Sequence, residues 1–515
     1  MIPRNALFGA LGVLLALAPT LGATAAAQGA APEAGLASAE ERQNSVASTV
    51  RIGSATIRYR TTAGTLTLRD DAGNPTASMF YVAYVADRPK GQQRPLTFLF
   101  NGGPGSASLW LNVGGFGPLR APANAPHAMT PAPYRFGPNP GSILDKTDLV
   151  FLDAVGTGYS RALDGIDPKR FWGVDQDLDA FTRAITRYIT INDRWNAPKF
   201  LFGESYGTTR AAGLALKLHN QGIDLNGVVL LSTILNFSDT LPGLDQGDIG
   251  ILPTFAATAW YHDRVPDKPA ALAPFLDEVR AFAGGPYARA LAKGDTISAQ
   301  EEEAVAQQVA RYTGLPVDYI KASHLRIDME RFRSALLRDK GEIIGRFDSR
   351  FVGAASQADE GVAVDPATND PATAGVSSAL VATYRDYLSA TVGFHSDLHY
   401  RALYNAVIEP AWDLHHRAPG YGSPLSSPNT ALDLASAMRG NPTMQVLAMN
   451  GLFDMATPFF QTEYDVAHMG LAGGLRSNIR FGYYATGHMA YVDGDALAQM
   501  KRDLDAFYDR AAPPR

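Results

Sequence analysis

The chain of 515 residues contains no cysteine. That excludes a disulfide framework, a thiol nucleophile and thiolate-bound metal, and leaves core burial to stabilise the fold. Basic charge is not in excess: 45 Lys and Arg stand against 51 Asp and Glu, a formal charge of −6, and no basic stripe gathers them. A nucleic-acid partner is therefore not expected. Beyond the N-terminal segment no apolar run is long enough to span a bilayer. Internal repeats are also missing, which excludes solenoids and propellers.

What is present is an ordinary globular composition, 46% hydrophobic and 19% charged. The length exceeds the size at which one core stops growing, so two domains or one domain with a large insertion are expected. At the start, Arg4 precedes an apolar run (6–18), a Pro-Thr break and small residues at Ala23, Ala25 and Ala27. This predicts a signal peptide over residues 1–27. It implies export to the periplasm or the medium, with no stable membrane insertion after cleavage. Residues 28–45, rich in Ala, Gly and Glu, read as a linker.

From residue 46 the pattern alternates. "TVRIGSATIRYRTT" and "GTLTLRDDAGNPTASMFYVAYVA" place apolar and polar residues in turn around Ala72-Gly73-Asn74-Pro75, as antiparallel strands do. Short, continuously apolar runs follow at 96–100, 148–153, 199–203, 226–232, 444–450 and 479–484. Strands of that kind are buried on both faces, which predicts a mostly parallel sheet covered by helices. Helices are expected over 174–192, 208–220 and 496–511. Between Ser232 and Thr443 the strand signal lapses and helical patterns dominate, broken by a Gly/Asp/Pro-rich loop over 353–375. The fold class is thus α/β, with core parts at 46–235 and 441–515 and a mainly helical insertion, or cap, over 236–440.

Chemistry concentrates at "FLFGESYGTT", where Gly203-Glu204-Ser205-Tyr206-Gly207 matches G-x-S-x-G with a buried strand before it and a helix after it. The tight turn needs glycines around a serine whose Oγ is held up at the sheet edge. Such a serine needs a base. In α/β hydrolases the order is Ser, then Asp or Glu, then His, on loops after later strands. Asp454 follows one late strand and His488 the last, so they are the expected acid and base, with Asp493 and Asp465 as competing acids. The glycine-rich turn in "FLFNGGPGSAS" puts the Gly103 N–H where it could pair with that of Tyr206 as an oxyanion hole. No Gly-Lys-Ser/Thr follows, which argues against a phosphate loop. His395 and His399, four apart, could share a helix face. They lack the H-E-x-x-H glutamate, and neither metal nor other cofactor is expected.

Together "NGGPGSAS" (101–108), "GESYG" (203–207), "NGLFDMATP" (450–458) and "ATGHM" (485–489) resemble the four signature regions of the serine carboxypeptidases, in order. "DAVGTGYS" (153–160) and "WGVDQDLDAFTRAITRYI" add to the likeness, and "TFAATAWYHDR" (254–264) is similar to bacterial relatives. The resemblance implies an α/β-hydrolase fold, a Ser205–Asp454–His488 triad, an oxyanion hole at Gly103 and Tyr206, and no cofactor. It also implies peptide substrates with a free C-terminus, hydrolysed through an acyl-enzyme. Asn101, Gly102 and Glu204 would then bind the substrate, with Asn101 and Glu204 gripping its terminal carboxylate. Two carboxylates share a dry site only if one is protonated, so Glu204 is expected to have a raised pKa and peptidase activity to favour acid pH. Three positions depart from the family pattern: Ser106 where cysteine is usual, Leu99 where tryptophan is common, and Gly115 where a second glutamate of the grip is expected. An esterase or acyltransferase using the same triad is the alternative enzyme, and a non-catalytic binding protein the alternative to an enzyme.

Overall fold

Alternation at the start of the sheet becomes three antiparallel strands, β1 (Gln43–Ile52), β2 (Ala55–Arg69) and β3 (Pro75–Ala86). The computed structural model describes residues 37–513 apart from Lys90, Asn124 and 356–369. The signal peptide expected over 1–27 lies outside the described residues, as does most of the expected linker. The end of that linker is corrected: Gln43, Asn44 and Ser45 pair with Gly64, Ala63 and Thr62 of β2. Backbone pairing along β2 makes this polar stretch a strand, which its small-residue composition concealed.

The continuous apolar runs form β4 (Leu96–Phe100), β5 (Asp148–Leu152), β6 (Lys199–Glu204), β7 (Gly227–Leu231), β8 (Gln445–Gly451) and β9 (Ile479–Tyr484). Every residue of β4 to β7 is buried. The sheet order is β1-β2-β3-β5-β4-β6-β7-β8-β9, and every pairing from β5 to β9 is parallel. Alternate residues of one strand enter two different cores. Phe200, Phe202, Val229 and Leu231 pack with Leu497, Met500 and Leu504 of the closing helix, whereas Leu201, Val228 and Leu230 pack with helices on the other face. Those helices are α1 (Val174–Ile191) and α2 (Tyr206–His219).

A third core belongs to the insertion. Its centre is α3 (Gln246–Tyr261), which packs with α4 (Ala299–Thr313) around Phe255, Val309, Tyr312 and Phe332. Ser298 caps α4 by accepting from the Glu301 N–H, and Gly314 ends it in the left-handed conformation. The loop expected over 353–375 is shorter than predicted. Val352–Ala354 pairs with Glu342–Ile344, and α5 (Pro371–Asp386) already begins at Pro371, capped by the Asp370 side chain. Helix α6 (Phe459–Ala467) follows β8, and α7 (Gly494–Ala511) closes the chain. Among the described residues no helix is long and apolar enough to cross a membrane.

Candidate active site

Strand β6 turns into α2 at Ser205, whose backbone sits at φ 59° and ψ −130°. A non-glycine residue there stores about 1–3 kcal/mol of strain, which the surroundings must hold. The flanking glycines are sterically required: a Cβ on Gly207 would stand 2.7 Å from the Phe100 carbonyl oxygen, and one on Gly203 would collide with the Gly207 carbonyl. The Ser205 N–H donates to the Leu231 carbonyl at 2.9 Å, tying the elbow to β7. Beneath it, buried Arg210 of α2 pairs with buried Asp177 of α1 (Nε to Oδ2, 2.6 Å) and donates to the Asn101 carbonyl at 2.8 Å. Its guanidinium lies 4.3 Å from the centre of the Phe181 ring.

Asp454 and His488, on the loops after β8 and β9, meet with Oδ2 and Nδ1 2.8 Å apart. The carboxylate is held by the Ala456 and Thr457 N–H groups on Oδ1, at 2.9 and 3.0 Å, and by the Thr457 hydroxyl on Oδ2 at 2.6 Å. With Nδ1–H donating to Asp454, Nε2 is the nitrogen free to take a proton. Burial lowers the His488 pKa, but the adjacent Asp454 charge and hydrogen bond outweigh it and leave the imidazole above its ordinary value. The competing acids serve elsewhere. Asp493 caps α7 and pairs with Arg350, while Asp465 on α6 faces Asp239. Ser205 and His488 line one cavity of about 400 Å³, although among the described residues Ser205 Oγ makes no hydrogen bond to the imidazole.

Gly103 and Tyr206 both line this cavity, and neither amide N–H has an acceptor among the described residues; that of Tyr206 is the first amide of α2 and has no partner within the helix. Gly103 takes φ +106°. Its loop is braced at Ser106 by backbone pairing. The Tyr404 N–H donates to Gly105 at 2.7 Å and the Ala107 N–H to Ala402 at 3.0 Å. The Ser108 N–H donates to buried Asp153 at 2.7 Å. These bonds hold the turn in a chain without cysteine.

Glu204 is buried beside the nucleophile. Asn101 Nδ2 donates to its Oε2 at 2.6 Å, and the Tyr491 hydroxyl reaches both oxygens at 2.9 and 3.1 Å. Burial pushes its pKa up to about 7, against the opposing pull of His488, Tyr491 and Asn101. A Cβ on Gly115 would lie 3.2 Å from the Tyr491 ring, so this tyrosine fills the space beside the position that lacks an acid. Tyr491 carries no signal in sequence, being one aromatic in "HMAYVD" whose role depends on a contact with a residue 287 positions away.

Residues 54–247 match the model of the serine carboxypeptidase family. A retinoid-inducible serine carboxypeptidase from Rattus norvegicus is 28% identical over 202 residues. That stretch is 38% of this chain and 38% of the rat protein, so well under half of the relative's length is spanned. Among solved structures, a prohormone-processing carboxypeptidase from Saccharomyces cerevisiae aligns with a TM-score of 0.52 at 14% identity, over 88% of this chain and 91% of the yeast chain. That likeness establishes the α/β-hydrolase fold.

The matched segment ends before Asp454 and His488, and the insertion braces both from outside it. The His488 N–H donates to the Phe347 carbonyl at 2.6 Å, the Met455 N–H to the Arg346 carbonyl at 3.0 Å and the Ser349 N–H to the Phe453 carbonyl at 3.0 Å. The Phe347 ring lies 5.0 Å from the His488 ring. Arg350 donates to the Ala485 carbonyl and the Thr486 hydroxyl at 2.8 and 2.7 Å, and pairs with Asp348. Sequence reasoning missed this bracket over 345–351. His395 and His399 lie in an irregular segment, so the helix face considered for them does not exist. Among the described residues no group of three His, Cys, Asp or Glu side chains could hold a metal.

Proposed function

We propose that this protein is an exported serine carboxypeptidase of bacterial type that removes C-terminal residues from peptides through an acyl-enzyme. His488 Nε2 takes the proton from Ser205 Oγ as the oxygen attacks the scissile carbonyl carbon. The Gly103 and Tyr206 amides hold the oxyanion. The imidazolium, stabilised by Asp454, then protonates the amine that leaves, and water repeats the sequence to release the acyl group. In the apo site the Ser205–His488 contact is open, and it tightens when substrate fills the cleft.

The observation that carries this reading is the pair Asn101 and Glu204, which line the cleft next to Ser205 and are bonded to each other, with the buried Tyr491 hydroxyl bonded to Glu204. A protonated Glu204 donates to a substrate carboxylate, while an ionised one repels it. With the Glu204 pKa at about 7, the ratio of kcat/KM for free-acid over amidated peptides, from which the His488 titration cancels, is highest on the acid side and falls as pH rises through about 7. Amidated peptides and esters lack the carboxylate behind that fall. The test compares free-acid and amidated peptides at pH 5 and 8, with fluorophosphonate labelling of wild type and Ser205→Ala as the check on catalysis. Equal cleavage of both peptides at pH 5 removes the carboxypeptidase reading. Gly115 favours one second reading, an esterase or acyltransferase, because the Tyr491 hydroxyl already occupies Glu204; transfer to an added alcohol would reveal it. Export rests on the pattern over 1–27, and N-terminal sequencing of the processed protein tests it. No nucleic-acid or membrane partner is proposed.

A further inference from the structure

Arg346 is the only arginine or lysine among the described residues that line the cleft. Its main chain is fixed on both sides. The N–H donates to buried Asp370, and the carbonyl accepts from Met455, one residue beyond Asp454. Its guanidinium carbon lies 5.5 Å from the centre of the Phe347 ring, which itself packs on His488. The cation is therefore held on the histidine flank of the cleft.

Other buried or half-buried arginines nearby have anions: Arg350 pairs with Asp348 and Asp493, Arg333 with Glu330 and Asp370, and Arg210 with Asp177. Arg346 forms no ion pair among the described residues, and its Nε is buried without a hydrogen-bond partner. Glu409, another charged side chain of the cleft wall, accepts from Asn405 at 2.8 Å. Walls formed by Trp110, Ile234, Phe237, Phe347, Trp412 and Met489 offer the guanidinium little compensation. Arg346 is half-buried with its Nε buried and unbonded, so its guanidinium is placed to take an anion that arrives with the substrate. A guanidinium fork fits a carboxylate through two parallel N–H···O bonds.

We propose that Arg346 is the carboxylate-binding cation of this cleft, pairing either with the terminal carboxylate of the substrate or with an acidic side chain beside the scissile bond. The inference deepens the reading of the cleft as a peptide-hydrolysing site and rests on it. Three substrate pairs test it on the full-length enzyme at pH 7.5: a peptide as free acid or amide, peptides with Asp or Asn flanking the scissile bond, and aryl esters with or without a carboxylate on the acyl chain. The readout is the ratio of kcat/KM within each pair. Arg346→Gln lowers at least one ratio by about 10- to 100-fold, mainly through KM, the size expected for a lost charge-assisted contact. Arg346→Lys, which keeps the charge, restores part of it. A change in the first pair identifies the terminal carboxylate, and one in the second identifies an acidic side chain. If no peptide is cleaved the peptidase reading fails, and the ester pair still decides the role of Arg346. Wild-type ratios at or below one in every pair, or a loss in Arg346→Gln that leaves all ratios unchanged, overturns the proposal.

Discussion

At the C-terminal edge of the sheet, the loops after β4, β6, β8 and β9 carry the Gly103 amide, Ser205 with the Tyr206 amide, Asp454 and His488. The insertion reaches the same cleft with backbone carbonyls at Arg346 and Phe347, with the Phe347 ring and with a guanidinium. The first region locates the reacting atoms, because parallel strands deliver their following loops to one rim. The second braces the loops that carry Asp454 and His488, and it contributes part of the cleft wall. The two regions also share packing: Val376, Leu380 and Tyr384 of the insertion join the core on one face of the sheet, and Phe453, Met455 and Phe459 join the core around α3.

This division can be broken from the chemical side first. Asp454→Asn keeps the shape but leaves His488 in the wrong tautomer, so kcat should fall about 10⁴-fold with the fold intact, as paired kinetics and circular dichroism would register. Asp177→Ala strands the Arg210 guanidinium under the elbow. An unpaired buried charge costs about 3–5 kcal/mol, and urea unfolding should show a loss of that order. From the insertion side, Phe347→Ala removes the ring against His488 while the backbone clamp stays. A fall in kcat of about tenfold is expected, equivalent to about 1.4 kcal/mol of transition-state stabilisation. An unchanged kcat would mean that the insertion only shapes the cleft.

The smallest effect is at the joint between the two regions. Asp239, in the turn Phe237–Thr240 that opens the insertion, faces Asp465 of α6, with Gln461 bonded to both. Burial raises both carboxyls, Asp239 to about 6, and the Asp239 charge adds to the rise at Asp465. Raised folded-state values mean that this contribution to stability is present at about pH 4 and is lost as pH rises through about 6. Asp465→Asn should therefore raise the melting temperature at pH 8 by about 2 °C and have little effect at pH 4, measurable by calorimetry.

Legibility followed the same boundary. The six apolar runs predicted as strands are β4 to β9 within a residue or two, since burial on both faces leaves a continuous signature. The Ser205 elbow could be read because its G-x-S-x-G pattern falls between a continuously apolar run and a helical pattern, and Asp454 and His488 because chain order places them after the last strands. Helix α3 was not singled out: it is apolar nearly all round and contains Pro253, which blurs both periodicity and helix propensity. Asp370 and Pro371 begin a helix inside a stretch whose Gly, Asp and Pro content read as loop. Tyr491, Phe347 and Arg346 were missed altogether, since each acts through contacts that no spacing encodes.

By itself, then, the sequence determined the layered α/β architecture, the nucleophile on its turn and the order in which an acid and a base follow it. Those features are written in local sterics and in which residues must leave water. Only the tertiary structure decided that Tyr491 occupies the space beside Gly115, that residues 345–351 grip the catalytic loops and that one guanidinium stands in the cleft without an anion. Such contacts join residues far apart in the chain, and their energies depend on burial and distance that exist only once the cores have packed.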